Sequence, residues 1–269
     1  MPERVPPFTK DQIGTGAVRF PSGVPIPTTS DAMTDPYIKT RVPKEVQVEG
    51  IMFWPQEKGT FPGLVLLHDA WGLNAQVQDV AVRLAREGYV TLAPNLYSRQ
   101  CGMVTANAEV AAALAARVQD TDILQDLNSC CEFLNMRDHV TRNVHGVIAF
   151  GMSGGVALKF AGQRKRLKAA VAFYGPLADP AGLVKPFICP VLYHRAGTDH
   201  VVTDEQIDQL QRAAKEHGKR VDVQTYEGAP AAFFNETRAN TYRPDAARLA
   251  WETTVQFLEG CFKDAKASG

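Results

Sequence analysis

Short apolar runs and amphipathic stretches alternate along most of the chain. The runs have the length of strands buried in a parallel sheet. The stretches between them carry apolar residues at helical spacing, and some of them end at a glycine. The predicted strands are 46–54, 63–68, 89–94, 147–150, 169–174, 190–195 and 221–226. The predicted helices are 76–87, 106–118, 120–137, 156–162, 203–217 and 246–262.

This alternation predicts an α/β fold, a mostly parallel, doubly wound sheet with helices on both faces. Residues 46–269 are long enough to form a single domain around one large core. The loose alternation at 46–54 predicts a half-exposed edge strand. Residues 1–45 are rich in proline, which predicts an irregular N-terminal arm. The arm packs either on its own domain or on a partner subunit, and the sequence does not decide whether the protein forms a homodimer.

Composition narrows the class of protein. The chain has 269 residues, of which 45% are hydrophobic. Its formal net charge is +0, so the protein as a whole has no excess positive charge that would attract nucleic acid or anionic membranes. It contains no apolar run long enough to span a membrane, and the first residues lack the apolar core of a signal peptide. Its five cysteines lack metal-ligand spacing and predict reduced thiols in a cytoplasmic protein without metal or cofactor.

The stretch Gly151-Met152-Ser153-Gly154-Gly155 stands between a predicted strand and a predicted helix. A G-x-S-x-G sequence in this context is typical of a nucleophile elbow, a strained turn that presents a serine at the top of the sheet. The alternative is a glycine-rich turn that only starts a helix. The context favours Ser153 as a nucleophile.

A serine nucleophile needs an acid and a base that follow it in the chain. Asp199 follows a predicted strand through a glycine-containing loop and fits the acid, although a turn or N-cap aspartate is the alternative. The base should lie in the loop 228–235, which contains no histidine, and no histidine follows His217. The six histidines elsewhere are poorly placed to replace it.

Several motifs together resemble the dienelactone hydrolase family of α/β-hydrolases, over about 46–262. The stretch 68–74 is similar to the family's H-E-x-F-G-L-N, and 93–100 to its A-P-D-L-Y-x-R-Q. Residues 151–155 match its G-x-C-x-G or G-x-S-x-G elbow, and 197–199 its acid loop. Residues 226–235 resemble Y-x-G-A-x-H-A-F-x-N, and 242–251 the closing Y-x(2)-D-A-A-x(2)-A-W. In this alignment Ala231 stands where the family has histidine.

The resemblance implies a role for each matching residue. Ser153 is the nucleophile, Asp199 the acid, and Ala231 the position of the missing base. The backbone N–H groups of Ala70 and Gly154 form the oxyanion hole. The implied substrate-binding residues are Asp69, Trp71, Arg99, Tyr174 and Phe233. Arg99 would bind a substrate carboxylate; without the resemblance it would be read as a surface arginine.

The sequence departs from the family pattern in three further places. The type enzymes have cysteine at Ser153 and glutamate at Asp69, and their second substrate-binding arginine falls near Asn235, where Arg238 is the nearest stand-in.

The first functional hypothesis is an ester or lactone hydrolase with an acyl-enzyme intermediate, impaired in this chain by Ala231. The alternative is a non-catalytic ligand-binding protein on a hydrolase scaffold. A third hypothesis is an assembly role for the proline-rich arm. The expected partner is a small ester or lactone, carboxylate-bearing if Arg99 acts as implied.

Overall fold

A computed structural model describes residues 4–23, 46–198 and 201–267. The strands are β1 (Ile13–Pro21), β2 (Gln47–Pro55), β3 (Phe61–Leu67), β4 (Val90–Pro94), β5 (Val140–Phe150), β6 (Leu167–Phe173), β7 (Val191–Ala196) and β8 (Val221–Tyr226). The helices are α1 (Ala75–Arg86), α2 (Ala108–Ala115), α3 (Asp120–Asn135), α4 (Gly154–Ala161), α5 (Pro180–Val184), α6 (Asp204–Glu216) and α7 (Pro244–Ala267).

The strands form one sheet in the order β1-β2-β4-β3-β5-β6-β7-β8. β2 runs antiparallel to both β1 and β4, whereas the pairs from β4 through β3 to β8 are parallel. The predicted mostly parallel α/β sheet is therefore confirmed. In such a sheet the carboxyl ends of the parallel strands meet at one edge, where ligands bind.

Helices cover both faces of the sheet. Leu64 and Leu66 of β3 are fully buried in the cluster that includes α1 and α7. Val65 and Leu67 of the same strand are fully buried in the opposite cluster, with α3, α4 and α6. Burial on both faces explains why β3 reads as a continuous apolar run rather than an alternating one.

The N-terminal region differs from the prediction. Residues 13–21 are not irregular but form β1, which pairs with β2 from Ile13 opposite Pro55 to Pro21 opposite Gln47. No proline interrupts the chain between Pro7 and Pro21, so the backbone can extend there and pair. As a result 46–54 is not an edge strand. The rest of the predicted arm, 24–45, lies outside the described residues.

Two further differences have local causes. β5 begins at Val140, before the predicted start at 147, because its first residues are partly exposed and lack the apolar signal. α5 was not predicted, since five residues are too few to show a helical period. Asp179 caps this helix by accepting a hydrogen bond from the Gly182 N–H at 3.0 Å.

Candidate active site

The chain turns sharply where β5 ends. Phe150 is the last strand residue, and a short 3-10 turn over 151–153 leads into α4. Gly151 has a φ of +53°, in the left-handed region that favours glycine. A hydrolase of this fold carries its nucleophile on this strained strand-to-helix corner. In this chain the corner residue is Gly151, which has no side chain.

The carboxyl group of Asp69 fills that corner. Asp69 lies just beyond the end of β3, beside β5 in the sheet. A Cβ built on Gly151 would overlap both the carboxyl carbon and the oxygens of Asp69. The Asp69 carboxyl group therefore occupies the space in which a nucleophilic side chain would begin.

Two backbone N–H groups converge on this carboxylate. Asp69 Oδ1 accepts hydrogen bonds from the N–H of Ala70 at 2.7 Å and of Met152 at 3.1 Å. An oxyanion hole in this fold consists of one N–H from the loop after β3 and one from the residue after the nucleophile. The N–H groups of Ala70 and Met152 stand at the two positions of this pair. Gly154, predicted as the second donor, differs because its N–H donates to the Gly151 carbonyl oxygen within the turn.

His68 holds the loop that carries Asp69 and Ala70. It is fully buried, its Nε2 accepts the Leu96 N–H at 3.0 Å, and its Nδ1 lies 2.7 Å from the Asp69 carbonyl oxygen. With Nε2 as acceptor, Nδ1 carries the proton and donates to that oxygen. The C=O and N–H of a trans peptide point in opposite directions, so this bond directs the Ala70 N–H toward the carboxylate. Burial lowers the pKa of His68 to about 4, which keeps it neutral.

The pKa of Asp69 is raised overall, because the effect of burial is larger than that of the groups that stabilise its carboxylate. Burial raises its pKa, and the N–H groups of Met152 and Ala70 and the nearby Arg238 counteract this by stabilising the carboxylate. The Arg238 guanidinium stacks on the Trp71 ring, 3.4 Å from its centroid. Among the described residues no acid forms an ion pair with Arg238. A positive charge therefore stands close to the Asp69 carboxylate.

Ser153, the predicted nucleophile, lies two residues after the corner. Its side chain has no exposed surface, and its Oγ donates a hydrogen bond to the Phe150 carbonyl oxygen at 3.0 Å. Two residues beyond the corner, the chain has already turned Ser153 toward the core. The next glycine serves packing, since a Cβ on Gly154 would lie 2.7 Å from the Cα of Gly175. The arrangement matches the alternative of a glycine-rich turn that starts a helix.

The acid and base positions complete the comparison with the predicted triad. Ala231 is half-buried and packs with its methyl group against the apolar cluster beneath α7. A methyl group cannot accept a proton, so this position supplies no base. Asp199, the predicted acid, lies outside the described residues.

A small cavity lies at the corner. Its volume is about 10 Å³, the room for roughly one water molecule. Tyr174, with a strained φ of +42°, lines it, and its ring meets Phe233 edge-on at 5.5 Å. Phe233 is fully buried beneath. The residues around the cavity are Asp69, Trp71, Gly72, Asn74, Gln76, Val77, Phe150, Tyr174, Ala232 and Asn235. Of the predicted substrate-binding residues, the structure brings together Asp69, Trp71 and Tyr174, with Phe233 as support.

Arg99, predicted to bind a substrate carboxylate, is not in the lining of the small cavity and forms an ion pair with Asp126. Its guanidinium forms a bidentate pair with Asp126, Nη1–Oδ2 at 2.6 Å and Nη2–Oδ1 at 2.9 Å. Nη2 also donates to Ser22 Oγ at 2.8 Å. Asp126 is almost completely buried and needs this cation. The donor fork of Arg99 is thus used to attach α3 to the loop after β4.

A larger groove borders the corner on the side of α4 and α5. It has a volume of about 520 Å³, within the range of small-molecule sites. Met152 lines this groove, and its N–H belongs to the corner. The other main apolar lining residues are Val156, Pro176, Ala178, Leu183 and Pro186.

Sequence reasoning missed two residues of the corner, Gly151 and Met152, and named Arg238 only as the nearest stand-in for a substrate-binding arginine. A signal for the first two was present, because the apolar run ends at Phe150 and the next residue must form the corner. Nothing in the local sequence indicates that Arg238 stacks on Trp71, since these residues are distant in the chain. Across the described ranges, no group of histidine, cysteine or acidic side chains could hold a metal ion, and none of the helices there has the length and apolar character of a membrane span.

Comparison with known proteins finds the dienelactone hydrolase family, which the sequence motifs also resemble. A sequence model of the dienelactone hydrolase family matches residues 48–262. A Bradyrhizobium protein, named by inference as a 2-oxo-3-(5-oxofuran-2-ylidene)propanoate lactonase, is 27% identical over 214 residues, covering 76% of this chain and 86% of that protein. A Methylorubrum extorquens protein, named by inference as a carboxymethylenebutenolidase, is 28% identical over 209 residues, or 74% and 72% of the two chains.

Solved structures share the fold. A crystal structure assigned as a dienelactone hydrolase from Klebsiella pneumoniae superposes with a TM-score of 0.74 at 21% identity, covering 91% of this chain and 99% of that one. A dienelactone hydrolase-like promiscuous phosphotriesterase from metagenomic libraries gives 0.75 at 18% identity, with 93% and 99% covered. These neighbours confirm the α/β-hydrolase fold. The chain belongs to the dienelactone hydrolase family.

Proposed function

We propose that this chain binds a small, mainly apolar ester or lactone on a dienelactone hydrolase scaffold without forming an acyl-enzyme on Ser153. One observation carries the proposal: Ser153 has no exposed surface, and its hydroxyl is bonded to the Phe150 carbonyl oxygen. A serine nucleophile must reach the substrate and must pass its proton to a base. The buried Ser153 side chain does not reach a substrate. It also has no base to take its proton, because Ala231, at the predicted base position, offers only a methyl group.

The groove beside Met152 supplies the room for the ligand. Ligand sites are mostly apolar concavities with a few polar groups at the edge. The groove of about 520 Å³ fits this description, with Val156 and Leu183 in its lining and Asp120 and Lys159 among its polar residues. The corner itself holds only about one water. We therefore assign the ligand to the groove and not to the corner.

A second candidate is the hydrolase reaction through Ser153, impaired by Ala231. It is favoured by the family membership, by the names of the relatives, and by the paired N–H groups of Ala70 and Met152. This candidate requires two movements. The Asp69 carboxylate must leave the N–H groups, and the Ser153 hydroxyl must leave the Phe150 carbonyl.

Titration calorimetry with dihydrocoumarin, a small aromatic lactone, tests the proposal, with chromatography of the recovered ligand. We expect binding without ring opening. Ala178→Trp fills the groove from an exposed position and should abolish binding. Ala113→Trp, on the exposed face of α2, is the matched control and should bind normally. Absence of binding to the unmodified chain would overturn the proposal, and ring opening that Ser153→Ala removes would establish the second candidate.

A further inference from the structure

The sheet ends at β1, and half of the backbone groups of this strand point away from the sheet. β1 pairs with β2 residue for residue, without a bulge. Just beyond its two ends, the Ser22 N–H donates to the Val46 carbonyl oxygen, and the Gln12 carbonyl oxygen accepts the N–H of Gln56. Hydrogen-bonded positions alternate in antiparallel strands, so the even-numbered residues of β1 bond to β2 and the odd-numbered residues point outward.

Three of these residues have outward N–H and C=O groups without a partner in the part of the chain that the structure describes: Thr15, Ala17 and Arg19. The odd positions on either side differ. The Ile13 N–H already donates to the Lys10 carbonyl oxygen, and Pro21 has no N–H. The open edge is therefore the short segment 15–19, closed at both ends.

This edge lacks the usual protection against pairing. Natural proteins shield an open edge with charged residues, internal prolines, bulges or a short strand. β1 carries one charged residue, Arg19, and its only proline is its last residue. β8, at the other end of the sheet, is shorter and carries Asp222, which forms an ion pair with Arg220. β1 is therefore the edge suited to a partner.

We propose that the chain forms a homodimer in which the β1 edges of two copies pair antiparallel about a two-fold axis at Ala17. In this register Ala17 lies opposite the partner's Ala17, and Thr15 opposite the partner's Arg19. Each outward N–H and C=O group of the segment 15–19 then bonds to the second copy, as in β-strand addition. The two copies of Arg19 do not face each other, so like charges are not brought together.

The same register matches small residues with large ones, which favours a second copy as the occupant. Gly16 lies opposite the partner's Val18, and Gly14 opposite the partner's Phe20. The Trp54 ring covers both glycines, since their Cβ atoms would lie 3.5 Å and 2.6 Å from its atoms. The half-buried ring thus stands beside the open edge, where the partner's Val18 packs against it.

Sedimentation velocity of the full chain over a concentration series tests this inference. We expect a reversible monomer–dimer equilibrium, because two paired edges bury a small interface. Ala17→Pro removes the N–H at the axis but no bond to β2, so it should give a monomer with unchanged circular dichroism. Thr225→Pro removes an outward N–H from the other edge strand, β8, and as the matched control should dimerise normally.

Two substitutions at the exposed Thr15 test the register without a proline. Thr15→Lys places a lysine opposite the partner's Arg19 at two points of the dimer, which should raise the dissociation constant roughly two- to thirtyfold. Thr15→Glu places a carboxylate at the same points and should lower the dissociation constant by a similar factor.

A monomer at every concentration would overturn the inference. A dimer that persists in Ala17→Pro, or equal effects of Thr15→Lys and Thr15→Glu, would overturn it as well. The inference goes beyond the proposed function, because it concerns the edge of the sheet and not the groove. Lactone binding is measured separately, so the two proposals fail independently.

Discussion

The turn between β5 and α4 has two halves with opposite surroundings. Its site-facing half, Gly151–Met152, meets the strand ends, where Asp69 fills the corner and accepts the Met152 N–H. Its core-facing half, Ser153–Gly154, is directed inward, with Gly154 packed against Gly175. The G-x-S-x-G sequence spans both halves and so does not by itself assign a nucleophile. The residue at which the strand ends decides which side chain faces the site.

The largest expected loss of stability comes from a substitution in the site-facing half of the turn. Gly151→Ala should lower the free energy of unfolding by roughly 2–4 kcal/mol, because the new Cβ overlaps the Asp69 carboxyl group at a strained φ. Urea denaturation measures this. Gly218→Ala is the control, since Gly218 has a similar φ of +61° but nothing within 4 Å of its Cβ position. Equal losses for the two variants would show that Asp69 does not fill the corner.

The next prediction tests how far the site extends. Arg99→Ala should lower the free energy of unfolding by roughly 2–3 kcal/mol, because it leaves the buried Asp126 without its cation. The double variant Arg99→Ala, Asp126→Ala should recover part of this loss in the same denaturation experiment. Binding of dihydrocoumarin should not change. If the Arg99→Ala variant has normal stability but no longer binds dihydrocoumarin, Arg99 is part of the ligand site and this prediction is wrong.

A pH dependence tests the support beneath the site-facing half. Burial lowers the pKa of His68 to about 4, below the unfolded value of 6.5, so the unfolded state binds a proton first. Its contribution is complete above pH 6.5 and is lost as the pH falls toward 4. At pH 5 we expect a loss of about 2 kcal/mol from this residue alone.

The measurement compares urea unfolding at pH 7 and pH 5 for the unmodified chain and for His68→Gln. His145 and His194, also buried with lowered pKa values, destabilise both proteins in the same direction, so the difference isolates His68. His217→Gln, at an exposed position, is the control. An identical pH dependence in all three proteins would show that His68 does not support the site-facing half.

The smallest effect belongs to the core-facing half. Ser153→Ala removes one hydrogen bond to the Phe150 carbonyl oxygen, which should cost about 1 kcal/mol in the free energy of unfolding. Dihydrocoumarin should bind as tightly as before, as measured by calorimetry. A variant that folds normally but loses ligand binding would place Ser153 in the site.

Much of the fold could be predicted from local patterns. β3 is buried on both faces and therefore reads as an apolar run. α1 has a regular apolar stripe and ends at Arg86, shortly before Gly88. β1 could not be predicted in this way, because its partly exposed residues give no clear period and its stability comes from pairing with β2. The edge assignment of residues 46–54 failed for the same reason.

The site was predictable only in part. Asp69, Ala70 and Trp71 were named through the family resemblance, and they lie in the loop that directly follows the buried strand β3. The pairing of Arg99 with Asp126 could not be predicted, because Asp126 lies on a helix whose position depends on tertiary packing. Ser153 was favoured by motif spacing, although its direction depends on where the strand stops. Asp199 stays a prediction.

The central claim is that Asp69 and not Ser153 occupies the reactive corner, and a serine-directed probe tests it most directly. Ala231→His restores the missing base position, and this variant is treated with a fluorophosphonate that phosphonylates accessible nucleophilic serines. We predict that the mass of the peptide containing Ser153 stays at the level of the unmodified chain. A phosphonyl group on Ser153 in the folded Ala231→His variant would contradict the account.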